Sequence, residues 1–125
     1  DPDNHIAFNN LGTALYERGL VRESVPYFER SLALCDSERA HTWLGLALAD
    51  QGRLEEAIGH YRAGLALDPQ SAEAHTNLGA ALAQLGRLDE AMPCFETAHR
   101  LNPDDVSARR NLARAQALLK PRDGH

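Results

Sequence analysis

The sequence predicts an all-α fold of stacked helix–turn–helix units, and three observations carry that prediction. Ala and Leu fill 39 of 125 positions, whereas Ile, Val and Thr together fill 9. Helix formers therefore dominate and strand formers are scarce. Displacing the chain by 34 places sets Ala40–Ala57 on Ala74–Ala91 with 13 of 18 positions identical, where chance in this composition gives roughly one or two. Apolar residues also recur at helical spacing. Ala74, Leu78, Ala81, Leu82 and Leu85 form one stripe, and Leu88, Ala91, Met92, Phe95 and Ala98 form its partner.

The first unit covers residues 5–37, with Leu11-Gly12 lying 33 places before Leu44-Gly45. The missing residue falls in the connection Cys35-Asp36-Ser37, because the helical patterns keep their phase on both sides. The second unit covers 38–71, and Gly19 and Gly52 mark the turn inside these two units. In the third, 72–105, Ser71 is placed to cap a helix running to Leu85, and Gly86 to stop it in a left-handed conformation. Its second helix runs from Leu88 to Leu101, with Asp89 and Glu90 at the positively polarised start. Asn102-Pro103 ends it. Pro26 and Pro93 share one position in their second helices, where the middle unit has Gly59. Each removes one backbone hydrogen bond, so a tolerated bend on the outer face is expected.

A partial fourth copy, 106–119, matches a first helix alone, with Asn111-Leu112-Ala113 on Asn77-Leu78-Gly79. Residues 120–125 read as a disordered tail. Pro2 stands where Pro69 and Pro103 stand, so the chain is expected to be a stretch of a longer array.

Composition narrows the function. A net charge of −5, from 13 basic and 18 acidic residues, argues against nucleic acid as a partner. No apolar run is long enough to span a membrane. The opening Asp1-Pro2-Asp3-Asn4-His5 lacks the pattern of a signal peptide, which favours a cytoplasmic location. Cys35 and Cys94 have no metal-ligand spacing. His41 and His75 hold equivalent positions a full repeat apart, and His5, His60, His99 and His125 form no i, i+4 pair with them, so no metal or other cofactor is expected. No Ser-His-Asp, Cys-His or phosphate-loop arrangement points to an enzyme.

These residues resemble the tetratricopeptide repeat family over positions 1–119. The third unit supplies Leu78, Gly79, Leu82, Ala91, Phe95, Ala98 and Pro103 of that pattern; the second supplies Leu44, Gly45, Leu48, Ala57, Tyr61 and Pro69, with Gly64 in the later small slot. The first departs most, with Ser24, Ser31 and Asp36 in place of Ala, Ala and Pro. Small residues in this pattern allow close helix approach, and Tyr61 and Phe95 are expected to wedge between successive repeats. The resemblance implies a right-handed α-solenoid of three helix pairs, closed by a C-terminal capping helix whose Arg109, Arg110, Arg114 and Gln116 face solvent.

It further implies a concave groove, lined by first helices, that binds a peptide or segment of a protein partner. Carried over position by position, the groove set includes Ile6, Asn9, Asn10, Thr13, Tyr16 and Glu17, then Arg39, Thr42, Trp43, Leu46, Ala49 and Asp50. It continues with Glu73, Thr76, Asn77, Ala80, Ala83 and Gln84, then Ser107, Arg110, Asn111 and Arg114. Asn10, Asn77 and Asn111 share one slot, and Trp43 takes it in the second unit. An amide donates and accepts, so this row suits a peptide backbone; a solvated helix face is the plainer reading. Trp43 is either a platform for a partner side chain or a packing residue between repeats. Arg110 and Arg114, four apart, suit a carboxylate. The clamp with which chaperone-binding members hold a terminal carboxylate does not carry over, since its Lys, Asn and Arg slots hold Asn9, Thr13, Trp43, Glu73 and Asn77, of which only Thr13 and Asn9 could hydrogen-bond a carboxylate at the expected places. Two other roles fit: self-assembly into a homo-oligomer through exposed repeat ends (Ala7, Leu11, Leu15), or substrate recruitment for a larger enzyme.

Overall fold

The computed structural model describes residues 4–119; the expectations for Pro2 and for 120–125 concern positions outside that span. Within it lie seven helices and no strand: α1 (Asn4–Glu17), α2 (Val21–Leu34), α3 (Glu38–Asp50), α4 (Leu54–Leu67), α5 (Ala72–Gln84), α6 (Leu88–Leu101) and α7 (Val106–Leu119). They group into two compact units, α1–α4 and α5–α7.

The turns inside the helix pairs follow directly from their glycines. Gly19, Gly52 and Gly86 adopt φ of 84°, 80° and 79°, a region that costs other residues steric strain. This reverses the chain and returns two amides to the helix end. Leu20, Arg53 and Arg87 donate to the carbonyls of Leu15, Leu48 and Leu82, each at 2.9 Å, closing the preceding helix with a six-to-one bond. Helix starts are equally local. Ser37 and Ser71 accept from the amides of Ala40 and Ala74, both at 3.2 Å.

Each pair is locked by a ring set against a glycine. A Cβ added to Gly12, Gly45 or Gly79 would lie 2.6, 2.5 or 2.6 Å from a ring carbon of Phe28, Tyr61 or Phe95. The missing side chain lets the second helix bring a whole aromatic against the first, and all three rings are buried. Burying each is worth about 1.5–3 kcal/mol. Tyr61 and Phe95 thus pack against the first helix of their own pairs, and Phe95 also borders a cleft with Asn111, Ala115 and Leu118 of the following helix.

Departures from the repeat pattern in the first pair carry their own compensation. Ser24 and Ser31 are fully buried in slots that favour Ala, but their hydroxyls donate to the carbonyls of Val21 (2.6 Å) and His5 (2.8 Å). The desolvated polar atoms are thus paired. Helices α2 and α6 run through Pro26 and Pro93, and both prolines lie exposed, as a tolerated outer-face bend requires.

In the α5–α7 unit, α7 packs on α6 and α5 through Ala108 and Ala115 and turns Arg109, Arg110, Arg114 and Gln116 to solvent. One member of the expected core stripe falls outside it. Leu85 follows the end of α5 and is 38 % exposed, because the chain has already left the helix whose face the stripe describes.

Candidate functional site

In the α1–α4 unit, α1 and α3 present the residues predicted to contact a partner. Asn10 is exposed, while Thr13, Trp43 and Leu46 are half-buried. Thr13 Oγ1 donates back to the Asn9 carbonyl at 2.8 Å. Asn9 itself is only 6 % exposed, and its Oδ1 has no hydrogen-bond partner among the described residues. It borders a cleft of about 220 Å³ together with Ile6, Asn10 and Arg39. Thr42 is another correction to the groove set. It is buried, and its hydroxyl bonds Glu38 Oε1 at 3.1 Å, because the first turn of α3 folds its own carboxylate over it.

Trp43 has a packing role that the structure makes explicit. Its indole stacks on Phe28 (6.2 Å between centroids, 12° between planes) and meets the edge of Tyr16 (5.4 Å, 69°). It joins the first helix pair to the second, with part of the ring left accessible. The Tyr16 hydroxyl in turn donates to Asp50 Oδ2 at 2.6 Å. Burial and then that carboxylate push the Tyr16 pKa up to about 12.

The α5–α7 unit holds a larger cleft, about 350 Å³, and three predicted residues meet there: Ala80, Asn111 and Arg114. Ala83 and Gln84 complete its walls, and Leu88, Phe95, Ala115 and Leu118 supply apolar surface. Arg114 has no ion-pair partner among the described residues, so a cation stands beside an apolar recess. Asn77 lies one turn before Ala80 on α5, and its buried Nδ2 has no hydrogen-bond partner among the described residues. Arg110 is exposed and does not line this cleft. Two arginines elsewhere are paired locally: Arg53 forks onto Glu56 (2.9 and 2.8 Å) and Arg87 onto Glu90 (2.7 and 2.9 Å). The Arg53 guanidinium holds the Glu56 carboxyl below its ordinary range.

A further juxtaposition escaped the sequence. His41 Nδ1 and His60 Nδ1 lie 3.1 Å apart, and His41 Nε2 donates to Asp36 Oδ1 at 2.6 Å. The two histidines are 19 places apart on α3 and α4, a spacing that no motif flags. The first pair shows the signal that would have found them. Phe8 and Tyr27, also 19 apart, are in ring contact at 6.4 Å. Among the described residues, no group of three or more His, Cys, Asp or Glu is placed to hold a metal.

Helical hairpins repeated at this period, each closed by a left-handed glycine and a glycine–aromatic contact, define a helical-repeat interaction fold. One family model described as TPR repeat matches residues 45–86, and two described as tetratricopeptide repeat match 72–105 and 6–35. The chain belongs to the tetratricopeptide repeat family. No curated protein sequence matches it. Among solved structures, it is similar to the first TPR of Spaghetti (RPAP3) bound to the HSP90 peptide SRMEEVD, at 20 % identity and TM-score 0.91 over 97 % of each chain. It is also similar to the second TPR domain of human RPAP3 in complex with the HSP70 peptide SGPTIEEVD, at 23 % identity and TM-score 0.87, covering 93 % of this chain and 98 % of that one. At these identities the likeness is one of fold. A third similar structure is YrrB, a TPR protein with an unusual peptide-binding site, at 29 % identity and TM-score 0.79, covering 85 % of this chain and 55 % of YrrB.

Proposed function

We propose that this chain is a protein-interaction module that holds a peptide or segment of a protein partner against the first-helix faces of its repeats. The observation that carries this reading is the pair of unsatisfied amides. Asn9 Oδ1 and Asn77 Nδ2 have no hydrogen-bond partner among the described residues, and a turn of either side chain toward solvent would offer it to a peptide amide or carbonyl. In the α5–α7 cleft, the apolar floor suits a partner's apolar side chain, and Arg114 suits a neighbouring carboxylate. Asn10, Thr13, Trp43 and Leu46 would add contacts within the α1–α4 unit, and Asn111 and Arg110 within the α5–α7 unit. The role is one of binding rather than catalysis. The similar structures support it, since two hold chaperone peptides, although the basic residues of a carboxylate clamp are replaced here.

Peptides selected from a random display library on the wild-type chain provide the test. Their affinity is expected to fall at least fivefold on Asn77→Ala and on Arg114→Ala, with helical circular dichroism unchanged. Selected peptides that bind both variants as tightly as wild type would place recognition on another face. Trp43→Ala is a poor probe, because it also removes packing against Phe28 and Tyr16.

A second reading rests on α1, where Leu11 is about half exposed (50 %) beside exposed Ala7. Such a face suits a contact with another copy. Light scattering over a concentration series discriminates, since a strict monomer at high concentration removes self-assembly as the main role.

A further inference from the structure

The histidine pair between α3 and α4 lies apart from the residues assigned to partner binding, and its chemistry suggests a different ligand. His41 Nε2–H donates to Asp36 Oδ1 at 2.6 Å, which fixes the proton on Nε2 and leaves the Nδ1 lone pair of His41 available. That lone pair faces His60 Nδ1 at 3.1 Å. A carboxylate behind one imidazole, with the opposite ring nitrogen directed at a second imidazole, is the outer arrangement that orients histidine ligands in metal sites.

We propose that His41 and His60 chelate one late first-row divalent ion, zinc or copper, through their Nδ1 atoms, with water completing the coordination. Two nitrogens 3.1 Å apart and each about 2.05 Å from an ion subtend an angle of about 100°, between square-planar and tetrahedral values. In the metal-free pair the two nitrogens face one another and share a proton, which the ion replaces. His60 moves its proton from Nδ1 to Nε2 through solvent, and both rings turn about Cβ–Cγ so that their lone pairs converge. That torsion is soft for histidine, and His60 is only half-buried. The same two helix positions carry His75 and Cys94 in the next repeat, again 19 apart and again ligand types.

Zinc chloride titrated into the full chain, followed by nitrogen-15 NMR of the imidazoles, tests the assignment. The Nδ1 resonances of His41 and His60 should shift together and saturate at one equivalent. By competition with a chelating dye, His41→Ala and His60→Ala should each bind zinc at least tenfold more weakly. Asp36→Asn should bind about tenfold more weakly. His75→Ala should leave the response of His41 and His60 unchanged, and binding should decline below about pH 6 as protons compete. Zinc shifting only other imidazoles would overturn the proposal. So would unaltered affinity in both His41→Ala and His60→Ala, or loss of the His41–His60 response in His75→Ala. The NMR arm uses the wild-type chain, so it decides the question even if a variant unfolds.

Discussion

The hydroxyl of Tyr16 on α1 donates a 2.6 Å hydrogen bond to Asp50 on α3, 34 residues further along the chain. The bond joins the first helices of neighbouring pairs. It is largely exposed, so Tyr16→Phe is expected to cost about 0.5–1.5 kcal/mol in urea unfolding. Ultraviolet titration of wild type should show one tyrosine ionising near pH 12. Because the folded pKa is raised above 10.0, this stabilisation is complete below pH 10 and is lost as pH rises toward 12.

Two glycines in the second pair should respond to alanine with opposite signs. Gly45→Ala places a methyl 2.5 Å from Tyr61 Cε1, and such overpacking costs about 1–3 kcal/mol. Gly59 has open space around its Cβ direction and lies mid-helix in α4. Gly59→Ala should therefore stabilise by about 0.5–1 kcal/mol. Thermal melts of the two variants beside wild type check both signs. A neutral Gly45→Ala would mean that the ring slides aside at no cost.

Trp43→Ala removes a stacked and an edge-on aromatic contact at once. The ring is half-buried, so the expected loss is about 2–3 kcal/mol, below the value for a fully buried Trp. Trp43→Phe should recover part of it. Denaturant midpoints at unchanged slope provide the measurement.

Acid should weaken the α3–α4 pair before it touches most carboxylates. Burial first, then His41, holds the His60 pKa below its ordinary 6.5, while Glu29 and Glu56 act the other way. The unfolded chain then binds this proton more readily than the folded one. Stability is complete above pH 6.5 and falls as pH drops through 6.5 toward the folded value. Urea midpoints at about pH 7.5 and about pH 5.5 should differ more for wild type than for His60→Gln.

The sequence by itself determined the helices, their caps and their turns. Ser37, Ser71 and the left-handed glycines act on backbone groups within five residues, and such chemistry is readable from spacing alone. It also determined that Gly12, Gly45 and Gly79 admit a neighbouring helix, because only a missing Cβ allows that approach. Tertiary structure decided how far each helix is rotated about its axis, and with it which side chains meet. Ala80, Asn111 and Arg114 gather at one cleft, whereas Arg110, one turn from Arg114, stays outside it. The same rotation buries Asn9 and Thr42, which share a helical face with exposed or half-buried neighbours. It turns Trp43 onto Phe28 and brings His41 to His60. The physical reason is that helix rotation is set by the ring-on-glycine contacts between helices, and no spacing within one helix records it.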